Sequence, residues 1–160
     1  KLHPITDITD KNGNNLLHLM CVADNYEGAS YLCTTYPGLI IVINKYNQLP
    51  LHIACKQSSA VLVSLLLKTQ ENLEPFWDFT NGLYQNMLAT YGSTTCKDLG
   101  GRTPLQIAIT RGNVDIINML YNTNKTWEKR VVAPSISNDD TAEPTTRVET
   151  YSDQNTLSLP

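Results

Sequence analysis

Two cysteine–histidine pairs are the residues whose types and spacing could do chemistry. Cys21 follows His18 by three positions, and Cys55 follows His52 by three. On a helix that spacing puts both side chains on one face, where an imidazole can take the thiol proton and leave a nucleophilic thiolate. The sequence argues against that use. The pairs recur 34 residues apart in matching contexts, Leu16-Leu-His-Leu-Met-Cys21 and Pro50-Leu-His-Ile-Ala-Cys55. A third copy, Pro104-Leu-Gln-Ile-Ala-Ile109, carries Gln for His and Ile for Cys. Glutamine shares the donor and acceptor capacity of neutral imidazole but not its acid–base capacity. One position therefore asks for hydrogen bonding and the other for apolar packing.

The remaining chemistry fails on similar grounds. All four cysteines, Cys21, Cys33, Cys55 and Cys96, read as buried small hydrophobes in a reducing compartment; no Cys-x-x-Cys with an added His completes a zinc pattern. There is no Gly-rich phosphate loop, no Gly-x-Ser-x-Gly elbow and no paired-carboxylate motif. The expectation is a protein that is not an enzyme, with no metal, no cofactor and no small-molecule substrate. Asn124-Lys-Thr126 matches a glycosylation acceptor, but the N-terminus lacks the order of a secretory signal, so the match is read as chance.

Composition narrows the class further. With 160 residues, 41% of them hydrophobic and 17% charged, the chain is in the ordinary range for one soluble domain. A net charge of −3 without a Lys/Arg stripe gives nucleic acid little to hold. No apolar run reaches the 18 or so residues of a membrane span, so neither nucleic-acid binding nor membrane insertion is expected.

The elements that position these residues start at the clearest copy, Gly101-Gly-Arg-Thr-Pro-Leu-Gln-Ile-Ala108. Thr103 can cap a helix with its hydroxyl, Pro104 suits the first helical position, and Leu105, Ile107 and Ala108 begin a buried face. Asn15 can cap the first copy. In the second, Leu49 stands where a capping Thr would be and Pro50 opens the helix. A small or flexible residue, Ser58 or Gly112, follows six positions after the His or Gln site, and a second apolar run comes next, Leu62–Leu67 or Ile116–Tyr121. Each unit is helix, tight turn, helix.

The motif Thr103-Pro-Leu-Gln-Ile-Ala108, its partner Leu49-Pro-Leu-His-Ile-Ala54 and the 34-residue spacing resemble the ankyrin repeat, whose period is about 33 and whose pattern is Thr-Pro-Leu-His-x-Ala. The fold implied is an all-α ankyrin-repeat solenoid of helix-turn-helix units with hairpin loops. Repeats fall at about 10–43, 44–69 and 98–124 within a domain spanning 1–130. In such repeats the imidazole at the His site ties the helix start to neighbouring backbone.

Between repeats two and three the His-site spacing lengthens to 54, which marks an insertion at about 70–97. Phe76, Phe79, Leu83, Tyr84, Met87, Leu88 and Tyr91 recur there at spacings of three and four, the pattern of an amphipathic helix opened by Pro75 and closed by Gly92. Its apolar line is expected to pack beside Leu65 and Leu66, with Trp77 projecting at another angle. Pro37-Gly38 should stop the preceding helix, and Leu39–Ile43 should be an extended connector. Residues 1–9 read as a connector from a previous unit. Met20 in place of Ala, with Gly28-Ala29, makes the first repeat loose and prone to fray at its edge. Residues 131–160, net −4 and rich in Ser, Thr, Pro and acids, read as a disordered tail.

The resemblance places partner binding on the hairpin tips and the exposed side of the first helices. Carried over by position, the sites are Tyr46, Gln48, Lys56 and Gln57 in the second repeat and Leu99, Arg102 and Arg111 in the third, with Trp77 added from the insertion. Tyr46, Leu99, Arg102 and Arg111 are the sharper candidates, since aromatic, apolar and Arg side chains make hot spots. The function implied is a non-catalytic protein-binding module. A Pro-Leu-His-Ile-Ala-Cys helix start and the acidic Ser/Thr/Pro-containing tail are similar to the cytoplasmic inhibitors of NF-κB-type transcription factors. That likeness implies a cytoplasmic regulator, with the nucleus as a second compartment. The alternative is an ankyrin segment excerpted from a channel, immune receptor or enzyme, suggested by a chain that begins with Lys1 and a first repeat without a cap.

Overall fold

The first helix of each unit begins where a side chain or a proline settles its free amide groups. The Thr103 hydroxyl accepts from the Gln106 amide at 3.2 Å, and the Gln106 side-chain oxygen accepts from the Thr103 amide at 2.9 Å. Asn15 caps the first unit, its side-chain oxygen accepting from the His18 amide at 3.0 Å. Leu49 has no acceptor to offer. There the helix start keeps the reverse half of the arrangement, in which the Leu49 amide donates to His52 Nδ1 at 3.0 Å, and Pro50 removes one amide that would need a partner.

In the computed structural model, which describes residues 5–73 and 94–132, these starts open six helices in three pairs. They are α1 (Leu16–Val22), α2 (Tyr26–Thr35), α3 (Pro50–Gln57), α4 (Ala60–Leu73), α5 (Pro104–Arg111) and α6 (Val114–Val132). No strand lies among the described residues, so the all-α architecture expected from the repeats is the one observed. Left-handed residues end α3 and α5: Ser58 at φ 60° and Gly112 at φ 72° reverse the chain into α4 and α6.

The pairs stack in order through one continuous core. Leu17, Leu51, Ala54, Leu62, Val63, Ala108, Ile116 and Leu120 are all buried in it, and the first helices lie side by side, α1 on α3 and α3 on α5. Cys21, Cys33 and Cys55 belong to the same core as free thiols.

Two connectors differ from expectation. Pro37–Ile41 forms a 3-10 turn rather than an extended segment. Leu39 and Ile40 are buried against α4, and that burial outweighs the strand preference of β-branched residues, while Pro37 at the first position favours a helical start. Ile5–Asp7 likewise forms a 3-10 turn where a connector was expected. The second helices run on past the repeat ends, α4 through Leu73 and α6 through Val132. The amphipathic segment Pro75–Tyr91, Trp77 and residues 133–160 of the tail lie outside the described residues.

Candidate functional site

The surface is built by three loops that solve the same local problem the same way. Asp10, Asn44 and Asp98 occupy equivalent positions just before the three helix pairs. Asp10 Oδ1 accepts from the Asn12 and Asn14 amides at 2.8 and 2.9 Å. Asn44 Oδ1 accepts from Tyr46 and Gln48 at 2.9 and 3.0 Å, and Asp98 Oδ1 from Arg102 at 2.9 Å. Each loop also closes main chain on main chain, Asp10 on Asn14, Asn44 on Gln48 and Asp98 on Arg102. The tight reversal inside each loop needs a positive φ, which Gly13 (76°), Asn47 (56°) and Gly101 (73°) supply.

Adjacent loops are then joined tip to tip. The Lys45 amide donates to the Asn12 carbonyl at 3.0 Å, and the Leu99 amide donates to the Tyr46 carbonyl at 2.9 Å. The Tyr46 hydroxyl reaches the Asn12 side-chain oxygen at 3.4 Å, Lys45 Nζ donates to the Lys11 carbonyl at 2.7 Å, and Asn47 Nδ2 donates to the Lys97 carbonyl at 2.6 Å. The result is a ladder of three hairpins with little backbone freedom, which lowers the ordering cost of anything that binds it.

The histidines hold that ladder to the helices. Nδ1 of His52 accepts from Leu49, so the ring carries its proton on Nε2, which donates to the Cys96 carbonyl at 2.9 Å. His18 does the same between the Asn15 amide (3.2 Å) and the Gln48 carbonyl (2.8 Å). Burial lowers both imidazoles from their ordinary value, and the carbonyl contacts only partly offset it. Neutral rings with both nitrogens engaged are fasteners between successive repeats. Their cysteine neighbours are equally unsuited to attack: burial pushes the Cys21 and Cys55 thiols up to about 12 and Cys96 up to about 11.

The candidate residues separate into three settings. Tyr46 and Leu99 stand on adjacent hairpin tips with 49% and 74% of their surface exposed, joined through the main-chain bond above. Arg102 is exposed, but its guanidinium is tethered, with Nε and one terminal nitrogen donating to Asp98 Oδ2 at 3.2 and 2.9 Å. Burial alone would raise the Asp98 carboxyl; the Arg102 amide and guanidinium hold it below its ordinary value. Gln48 is half-buried and its carbonyl is the one His18 grips. Lys56, Gln57 and Arg111 lie in the last turns of α3 and α5, away from the tips, and Gln57 Nε2 donates to the Val22 carbonyl at 3.1 Å, tying the second unit to the first. The geometry joins the Tyr46 and Leu99 tips, holds Arg102 on Asp98 within the same third loop as Leu99, and leaves Lys56 and Arg111 on the adjoining helices. Reading the sequence passed over Asp10, Asn44 and Asp98 as loop organisers, although their shared offset from the His or Gln site was there to be seen.

A separate groove of about 1090 Å³ runs between α2 and α4, lined by Tyr26, Ser30, Val61, Leu65, Lys68 and Leu73 among others. Cys33, the thiol in its wall, is raised by burial. Among the described residues no three His, Cys, Asp or Glu side chains are grouped to hold a metal ion, and no helix is long and apolar enough to cross a membrane.

Helix pairs stacked in register, with hairpins laddered along one edge, define a repeat scaffold for protein recognition. The family model described as Ankyrin repeat matches residues 100–126. The third helix pair thus matches an ankyrin repeat, a unit of a protein-interaction family, and the stacked helix pairs before it are consistent with that helical solenoid. The "I-Kappa-B like protein C2" of Microplitis demolitor bracovirus (isolate Webb) is 37% identical to this chain over 59 residues, which cover 36% of the chain and 32% of that relative. The match thus spans about a third of the relative's length.

Proposed function

We propose that this chain is a non-catalytic regulator that holds a signalling or transcription factor of the NF-κB type through its hairpin row. Tyr46 and Leu99 provide the apolar contact and Arg102 the charged one. The observation that carries the reading is the main-chain bond joining Tyr46 to Leu99, which fixes two exposed hot-spot side chains beside each other on a rigid edge. The similarity to an I-Kappa-B like protein supports the choice of partner class, and the engaged histidines and high thiols support the absence of catalysis. Such a regulator works in the cytoplasm, with the nucleus as its second compartment, and needs neither nucleic acid nor a small-molecule substrate. Calorimetric titration of the full chain with a purified NF-κB-type transcription factor tests the partner class. The reading expects saturable one-to-one binding, and no heat or mobility shift at micromolar concentrations would contradict it.

A further inference from the structure

The described surface is divided by charge. The three hairpins and the first helices α1, α3 and α5 expose Lys11, Lys45, Lys56, Lys97, Arg102 and Arg111. The only carboxylates on those elements are Asp10 and Asp98, and both are spent inside their own loops, on main-chain amides and, for Asp98, on Arg102 as well. The exposed acids Asp24, Glu27, Glu71 and Asp115 sit instead on the turn after α1 and on the second helices α2, α4 and α6. The hairpin lysines are also held near one another: Lys45 Nζ lies 2.7 Å from the Lys11 carbonyl, and the Lys97 carbonyl takes the Asn47 side chain of the second loop at 2.6 Å. No carboxylate pairs with Lys11, Lys45 or Lys97 among the described residues, so like charges line one edge without a counter-charge and favour an anion along it.

We propose that the chain's own acidic segment, residues 133–160, lies along this basic hairpin edge. Charge supplies the match, since Asp139, Asp140, Glu143, Glu149 and Asp153 stand against Arg147 alone, net −4. The point at which the segment leaves the stack supplies the reach. α5 starts directly from the third hairpin, whose Arg102 precedes the Thr103 cap, and α6 returns alongside it after the reversal at Gly112. At about 1.5 Å per residue the 8 residues of α5 span about 12 Å and the 19 of α6 about 28 Å. α6 therefore carries Val132 past the start of α5, at the end of the helix pairs where the hairpins are attached. From Val132 to Asp139 an extended chain reaches up to about 24 Å, about two helix diameters. Tethering makes the encounter intramolecular, at an effective concentration on the order of millimolar. A segment so placed covers Tyr46 and Leu99 and competes with the partner proposed above; that consequence rests on the partner reading, whereas the contact itself does not.

Paramagnetic relaxation in the full chain tests the contact. A nitroxide attached through Ser137→Cys sits beside Asp139 and Asp140 in sequence, and the native thiols Cys21, Cys33, Cys55 and Cys96 are buried from the label. At low salt the amide signals of Lys11, Lys45 and Leu99 should broaden, while those of Val61 and Lys68 on α4 should not. The broadening should be lost in about 0.5 M salt, where screening shortens to a few ångströms. It should be lost equally in a chain neutralised by Asp139→Asn, Asp140→Asn, Glu143→Gln, Glu149→Gln and Asp153→Asn, and reduced several-fold by Lys11→Gln with Lys45→Gln. Absence of hairpin broadening, broadening centred on the second helices, persistence in the neutralised chain, or transfer from labelled to unlabelled chains in a mixture would each overturn the proposal. Affinity for the NF-κB-type factor is read separately, and the neutralised chain should bind it several-fold tighter. Failure of the factor to bind either chain would overturn the partner reading alone, whereas equal affinity for both chains would overturn the competition.

Discussion

The sulfur of Met20 occupies the space that a β-carbon on Gly28 would need: Sδ lies 2.5 Å, and Cγ 3.3 Å, from where that carbon would sit. The two departures from the repeat pattern in the first unit therefore compensate each other. A long flexible side chain on α1 fills what a missing one on α2 leaves open.

This pairing predicts strong coupling. Gly28→Ala alone should be close to neutral, because the alanine's gain in helix propensity of about 1 kcal/mol is spent moving Met20. In a Met20→Ala background the same substitution should stabilise by about 1 kcal/mol. A double-mutant cycle in urea measures the difference, and additive effects would show that the two side chains act independently.

His52 links a helix start to the segment leading into the third hairpin, so its loss should be felt on both sides. His52→Ala should cost about 1–3 kcal/mol by leaving the Leu49 amide and the Cys96 carbonyl without partners. His52→Gln should cost clearly less, because Gln106 shows a glutamine oxygen accepting from the amide at the same helix start. Equal destabilisation in urea unfolding would remove the fastening role.

Acid should weaken the stack in a defined window. The folded pKa values of His18 and His52 lie below their ordinary value of 6.5, so the unfolded chain binds protons that the folded chain refuses. Stability is complete above about pH 6.5 and falls as the pH drops through the depressed folded values. Urea midpoints should hold between about pH 7.5 and about pH 6.5 and decline as the pH is lowered further, and the decline should be smaller in His52→Gln. A flat profile below that range would contradict neutral, buried imidazoles.

The thiols give an independent check on the same core. Cys21 and Cys55, fully buried and pushed up to about 12, should resist an aromatic disulfide reagent at mildly alkaline pH and react only as fast as the core opens. Rapid labelling of either in the folded chain would place it outside the core.

What could be read in the residues was whatever depends on local chemistry. Thr103 and Pro104 announce a helix start, Ser58 and Gly112 a left-handed stop, and the exchange of His for Gln and Cys for Ile marks one position for hydrogen bonding and the other for packing. The departures arise where distant parts of the chain decide. Leu39 and Ile40 have strand-like preferences that burial overrides, and the fit of Met20 into the space above Gly28 depends on two helices meeting. Asp10, Asn44 and Asp98 mark the loop starts in the sequence, but their work as acceptors for two amides apiece, or one in the case of Asp98, depends on side-chain direction. For the candidate site, exposure of Tyr46 and Leu99 followed from their place in the repeat, whereas the tethering of Arg102 to Asp98 and of Gln57 to Val22 required the folded loops.

The central claim is that the hairpin row is the gripping surface, and the affinity of a Tyr46→Ala, Leu99→Ala double variant for an NF-κB-type factor tests it most directly. Both side chains are exposed, so the variant should unfold at the wild-type midpoint while losing about 2 kcal/mol or more of binding, roughly thirtyfold in Kd. Val61→Ala, on the second-helix groove, should bind as wild type does. Unchanged affinity in the hairpin variant, or a loss confined to Val61→Ala, would contradict the account.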